Sequence, residues 1–396
     1  MKTTGARLVG VLTACLLGLG LSASPSVQAQ AEQASPAAAK RADRTKVTAR
    51  VGAKGLAAIA PTADGRFLVG VKNERLVRYR IKPDKIREVG RSRPTDLFRL
   101  SDQEIVVHPS GRFAYVHVYS YVKRSKSAVI VFRIDRPNPK LVKTIKAKNV
   151  HPSKRANLKA MAMRPDGKRL HLIVGRDLVT LRMGNGQRAK VLSVQKDLSV
   201  GTPMVTTPDG ETLISTLSGQ GSPHYASYRK WDISGVGAPV PGPEQRIDLT
   251  PFDLEDESGV AAIVIGPDST TAHVQIREWV EDGFNEAIAR VRLADGEITA
   301  VLGDPFGRYH LEQLLGRSPS GKRIYGLNRG PGGSEEDGRD PFLARADSAL
   351  ATHKRLKPGR FALETSFAVS PAGRTKGLIY STQAKDGKRF LVSIRN

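Results

Sequence analysis

The 396-residue chain holds one cysteine, Cys15, which excludes an internal disulfide and a thiolate zinc site. Beyond residue 31 no stretch of about 18 apolar residues occurs, so no transmembrane helix is expected. No G-x-S-x-G elbow, H-E-x-x-H pair, phosphate loop or dinucleotide fingerprint is present, and the local motifs of nucleotide and cofactor chemistry are therefore missing. Aromatic residues make up 6% of the chain, and 38 acidic residues face 63 Lys+Arg, a formal charge of +25. What the chain does have is 38 Gly and 24 Pro with 39% hydrophobic residues, the composition of a loop-rich globular protein.

Residues 1–31 carry a basic start (Lys2, Arg7), an apolar run from Leu8 to Ala23 and small residues through Ala29 and Ala31. This pattern predicts a secretory signal peptide cleaved after Ala29 or Ala31. Leu12-Thr13-Ala14-Cys15 offers a competing lipoprotein site, but the apolar run continues through Leu16 to Leu21, where a lipidation site should close it. The expected product is secreted, extracellular or wall-associated, and free of cysteine. Residues 32–45, Ala-rich with Lys40, Arg41 and Arg44, are expected to form a disordered leader.

One phrase recurs along the rest of the chain. It reads Pro61 to Gly65, Pro109-Ser110-Gly111, Pro165-Asp166-Gly167, Pro208-Asp209-Gly210, Pro267-Asp268-Ser269, Pro319-Ser320-Gly321 and Pro371-Ala372-Gly373, seven copies 43 to 59 residues apart. Proline fixes the entry and the Gly-type residue permits positive φ, so each copy is a tight turn between strand-length apolar segments. A third and a fourth strand follow each turn, a period that fits one four-stranded blade per copy. The seventh copy ends after its third strand, and the alternating segment Lys46 to Val51 can supply the fourth. Residues 46–396 are thus expected to form an all-β, seven-bladed β-propeller whose last blade is closed by the N-terminal strand, with no exposed sheet edge.

The turn phrase, Ala114-Tyr115-Val116 and Ile324-Tyr325 after it, and Lys230-Trp231-Asp232 resemble the repeats of YVTN, lactonase-like and WD40-like propellers over nearly all of residues 46–396. That resemblance implies a fold; it implies no single activity, since such scaffolds host hydrolases, lyases and pure binders. It also implies that the second-to-third loops form a top rim. Candidate ligand-binding residues there are Tyr119, Tyr121, Lys123, Arg124, His151, Arg155, His224, Tyr225, Arg277, Glu278, Trp279, Tyr309, His310 and Arg329, aromatic and charged groups suited to a polar ligand. His151 and His310 also read as structural, hydrogen-bonded histidines. The segment Arg277 to Glu286 is expected as one of the long variable loops.

Charge is divided unevenly. Residues 46–200 hold 35 Lys+Arg and 11 Asp+Glu, whereas 201–396 hold 23 and 25. The basic half should attract anionic polymers, among them wall polymers and acidic polysaccharide; nucleic acid is compatible with the charge but has no motif here. The acidic run Glu335 to Asp340 has a Gly bend suggestive of calcium, but its spacing misses the twelve-residue calcium loop, and no cofactor or metal site is assigned. The leading expectation is a monomeric, non-enzymatic binding scaffold for a protein or polymer. The alternative is a lactonase-like or lyase-like enzyme with its site at the channel mouth.

Overall fold

The computed structural model describes residues 46–396 except 83, 96–102, 119–126, 154–156, 197, 218–224, 250–257, 281–282, 303–312, 319, 329–341, 352, 357–361, 370–378, 386–387 and 396. The expected signal peptide and leader, residues 1–45, lie outside the described residues. Strands dominate; among the described residues one short helix, Ala147–Val150, interrupts them.

The strands form four-stranded antiparallel units in which each strand pairs with the next along the chain. The units span 56–91, 103–146, 158–195, 200–248, 258–301, 313–356 and 362–395, here numbered 1 to 7, and Lys46–Gly52 adds the outer strand of unit 7 by pairing with Lys388–Arg395. First strands touch one another in a closed circuit, Leu56–Pro61 against Gln103–Val107 on one side and Ala362–Val369 on the other. They therefore surround an axis, with fourth strands outermost. This is an all-β propeller. Units 4 and 5 belong to one sheet, so the structure has six blades, one of them double, where the repeats predict seven separate ones.

The repeated phrase acts through its backbone. In units 1 to 6 the residue preceding the turn, such as Thr62, His108, Arg164 or Thr207, accepts the amide of the Gly-type residue three positions on, at 2.8–3.2 Å. That residue has φ between 59° and 74°, and Ser269 adopts φ 59° where the other five copies use glycine. The amide closing each third strand (Ile81, Ile134, Met183, Ile233, Leu293, Ser348) then returns to the residue after the turn. The seventh phrase, 371–373, lies outside the described residues.

The core lies between the units. Each large apolar cluster joins consecutive sheets: Ala60, Val71 and Leu76 with Val116 and Ile130; Tyr115 and Val131 with Leu172 and Leu181; Ile173 with Leu213 and Trp231. Ala49 and Leu391 of unit 7 pack with Leu56, Leu68 and Tyr79 of unit 1, which ties the ring shut. Side chains four residues after the turn glycine add polar latches. Tyr115 Oη donates to Gly186 O of the next unit at 2.5 Å, and His273 Nε2 donates to Ser348 O at 2.8 Å.

One expected loop is corrected. Residues 277–286 are not a loop: Thr271–Val280 and Gly283–Arg292 form a long hairpin whose register runs from Thr271↔Arg292 to Val280↔Gly283. Only residues 281 and 282 separate the two strands, the loop length of a tight hairpin. The outer strand of unit 4 starts at Val240, since Pro241 and Pro243 are tolerated on an edge whose amides need no partner.

Candidate functional site

Nine of the rim residues singled out from sequence, Tyr119, Tyr121, Lys123, Arg124, Arg155, His224, Tyr309, His310 and Arg329, lie outside the described residues, as does 335–340. Tyr225 opens the third strand of unit 4, opposite Asp248. Arg277, Glu278 and Trp279 fall on the unit 5 hairpin, opposite Glu286, Asn285 and Phe284. The half-buried Arg277 is thus held on a strand. His151 is buried: its Nε2 meets Asp177 Oδ2 at 2.6 Å and its Nδ1 accepts the Ser153 amide at 3.0 Å. With both ring nitrogens engaged, His151 latches the entry to unit 3 and has no free nitrogen for a ligand.

The axis carries chemistry that the sequence reading passed over. A first strand has one edge paired to its second strand and the other facing the axis, so exposed residues on it are reached by water from the channel. Among the described residues those are Ala57, Glu104, Lys159, Thr202 and Gly259. In units 1, 3, 4, 5, 6 and 7 the register of first to second strand shifts at a bulge near this level, but unit 2 runs straight through Gln103↔Val118, Glu104↔His117 and Ile105↔Val116. A bulge re-aims a side chain. Glu104, without one, lies close enough to the first strand of unit 3 for the Met161 amide to favour its charged form.

Glu104 is exposed in area yet walled by neighbouring protein. Lost hydration raises its carboxyl to about 7, opposed by the Met161 hydrogen bond, which favours the charged form. The signal in sequence was slight: a single carboxylate seven residues before Gly111, next to the apolar run Ile105 to Val107.

The outer wall of units 1 to 3 presents the second unusual arrangement. Arg80 lies opposite Arg87, Lys82 opposite Lys85, Arg133 opposite Lys140 and Arg182 opposite Lys190. Like charges placed directly opposite one another destabilise a sheet. Of these eight, only Arg133 has a described ion pair, with Asp135 at 2.8 Å, and the other seven are exposed. The registers Arg345↔Lys354 and Lys46↔Arg395 continue the pattern into units 6 and 7. Units 4 and 5 break it: Arg229 faces Glu244 and Arg290 faces Ala300.

No protein-family model matches the chain, and no curated protein matches it. Solved structures do. The periplasmic gluconolactonase PpgL of Pseudomonas aeruginosa is 16% identical with a TM-score of 0.52, covering 76% of this chain and 84% of that one. The β-propeller domain of Cps50 (Swd1) from Myceliophteria thermophila is 11% identical, TM-score 0.58, over 89% and 99%. Kuenenia stuttgartiensis hydrazine synthase is 16% identical, TM-score 0.58, over 90% and 98%. At such identities the likeness is one of fold, shared by proteins whose names describe unrelated work.

Proposed function

We propose that this protein is a secreted β-propeller, seven-bladed when the joined sheet is counted as two, that binds an anionic polymer on its outer wall. The observation that carries the reading is the set of opposed cations on the outer hairpins of units 1 to 3. A sheet gains nothing from Arg80 facing Arg87 or Arg182 facing Lys190 in isolation, whereas a polyanion laid across both strands turns each repulsion into attraction. Residues two apart on one strand, such as Lys85 and Arg87, are spaced about 7 Å apart and face one side, which suits a repeating charge.

The test is binding to heparin, a model polyanion, as salt rises. Changing Arg87→Glu with Lys190→Glu should weaken binding about tenfold or more at 0.05 M salt, and the gap should close towards 0.5 M as screening shortens the Debye length. The pair Lys322→Glu with Lys388→Glu alters net charge equally and should cost far less. Equal losses from both pairs would mean that net charge alone attracts the polymer.

Glu104 favours a second reading, a hydrolase or lyase acting at the channel. A carboxylate titrating near neutrality on the axis suits a general base. If so, the wild type should hydrolyse small aliphatic lactones with a rate that climbs through pH 7, and Glu104→Gln should abolish that limb while leaving heparin binding intact. A wild type inert towards the lactones, or an unchanged pH profile in the variant, removes this reading.

A further inference from the structure

In each unit the turn phrase and the outer hairpin meet at one end. Ile81 N donates to Arg66 O at 2.9 Å, and Ile134 N and Met183 N donate to Arg112 O and Lys168 O at 2.8 Å, so the residue after the turn borders the hairpin. These ends abut from unit to unit. The hairpin of unit 2 comes so close to unit 1 that a Cβ on Gly90 would meet Pro137 O. His108 Nε2 donates to Gly167 O at 3.2 Å, its Nδ1 being taken by the Ser110 amide, and Arg164 Nε donates to Gly210 O at 2.9 Å. Units 1 to 4 therefore share one continuous strip.

Charge along this strip reverses between units 3 and 4. The turn and the outer hairpin, taken to the same register in each unit, hold five cations and two carboxylates in unit 1 (62–67 and 80–87). Unit 2 (108–113 and 133–140) holds four and one, and unit 3 (164–169 and 182–190) six and one. Unit 4 (207–212 and 232–240) holds three carboxylates and no cation, and unit 5 (266–271 and 292–298) three and one. The exposed residue after the turn divides the same way: Arg66, Arg112 and Lys168 give way to Glu211 and Thr270.

Some of these cations are already committed. Arg164 and Arg169 bond carbonyls of unit 4. Arg112 shares Asp135 with Arg133, at 3.5 and 2.8 Å, and Arg66 lies 4.0 Å from Asp64. Lys168, Arg182, Arg188 and Lys190 meet no carboxylate among the described residues, and all four are exposed. Cations strung along abutting edges do not close on one small anion; they suit charges repeated along a chain.

Resting on the reading that the protein binds an anionic polymer, we infer that a linear polyanion is held along this strip from unit 1 to unit 3, and that the carboxylates of unit 4 end the track. Sheets packed face to face lie about 10 Å apart, so the track spans on the order of 20 Å, and a fourth unit would extend it to about 30 Å. A chain that reaches all three units makes each further contact without a new encounter.

The experiment measures binding of heparin fragments of about 10, 20 and 30 Å to the full chain at low salt. The wild type should bind the middle length about tenfold or more tightly than the shortest, and the longest less than about threefold more tightly than the middle. Arg112→Glu with Lys168→Glu should remove the first step. Glu211→Lys, which gives unit 4 the residue type its neighbour carries, should add about threefold or more for the longest fragment alone, whereas Thr270→Lys in unit 5 should add nothing that depends on length. If no fragment of any length binds, the polymer reading falls and the track with it. Equal binding of the shortest and middle fragments, a first step that survives the double variant, or equal gains from Glu211→Lys and Thr270→Lys overturns the track alone. Should the double variant fail to fold, Glu211→Lys decides.

Discussion

A chain that begins at Ala53 should lose at least about 5 °C in Tm, or accumulate as soluble aggregate, whereas one that begins at Lys46 should melt within about 1 °C of the full chain. The difference is seven residues. Lys46–Gly52 pairs with the last strand from Lys46↔Arg395 to Gly52↔Phe390, and Thr48 Oγ1 bonds Ser393 Oγ at 3.1 Å. Ala49 is 8% exposed and belongs to the cluster that joins unit 7 to unit 1. Removing the segment uncovers the backbone edge of Lys388–Arg395, a template for pairing with a second copy. It also loosens the contact that closes the ring. A peptide of residues 45–52 added in trans should restore the monomer by occupying the vacated edge. Equal melting of the two truncations, measured by calorimetry alongside light scattering, would show that ring closure does not depend on this strand.

That strand was legible because its absence could be counted: the seventh copy holds three strands where the earlier copies hold four. The turns were legible for a local reason, since Pro and a residue tolerating positive φ dictate backbone shape without help from the rest of the chain. Pairing between strands is different. Arg80 faces Arg87 and Arg182 faces Lys190 because the closing pairs Lys82↔Lys85 and Gly184↔Arg188 set the register of those hairpins, the shifts at Arg78/Tyr79 and Thr180/Leu181 lying beyond them. Repeat spacing does not reveal where a hairpin closes, so the basic half could be seen as a composition and not as opposed pairs. Glu104 was hidden similarly, by the lack of a bulge that six other first strands possess. The joining of units 4 and 5 leaves no trace in the repeat spacing, and Arg277 to Glu286 reads as a loop because its hairpin exceeds the usual strand length of this chain.

Lowering the pH from 6.5 towards 4 should destabilise the wild type much more than a His171→Val variant. His171 is fully buried in the second strand of unit 3, with Nδ1 3.1 Å from Thr180 Oγ1 and Nε2 without a partner among the described residues. In units 2 and 5 the residues at this place in the repeat, Tyr115 and His273, reach a carbonyl of the following unit. In unit 3 the corresponding carbonyls, Ile233 O and Gly235 O, are taken by Arg169. Burial, reinforced by the positive charges of Arg169 and Arg164 against a weaker contribution from Asp166, lowers the imidazole to about 3. The unfolded chain therefore binds this proton near 6.5 and the folded chain only near 3, so the stability is complete above 6.5 and is lost as pH falls towards 3. By pH 4.5 the loss should be on the order of 2 to 3 kcal/mol. His273 and His108 are lowered too, chiefly by burial, and add to the same slope, while the raised carboxyl of Glu104 contributes the opposite one, present in acid and lost as pH rises through about 7. Only the difference between variant and wild type isolates His171. Valine is the substitution that the repeat itself supplies, since Val69 occupies this place in unit 1. Urea unfolding at pH 7.5 and 4.5 should give curves that lie close together at the higher pH and separate at the lower, the variant being the more stable. Parallel losses in the two proteins would mean that His171 is protonated in the folded state without penalty, and that water or a rotated Thr180 hydroxyl already serves its second nitrogen.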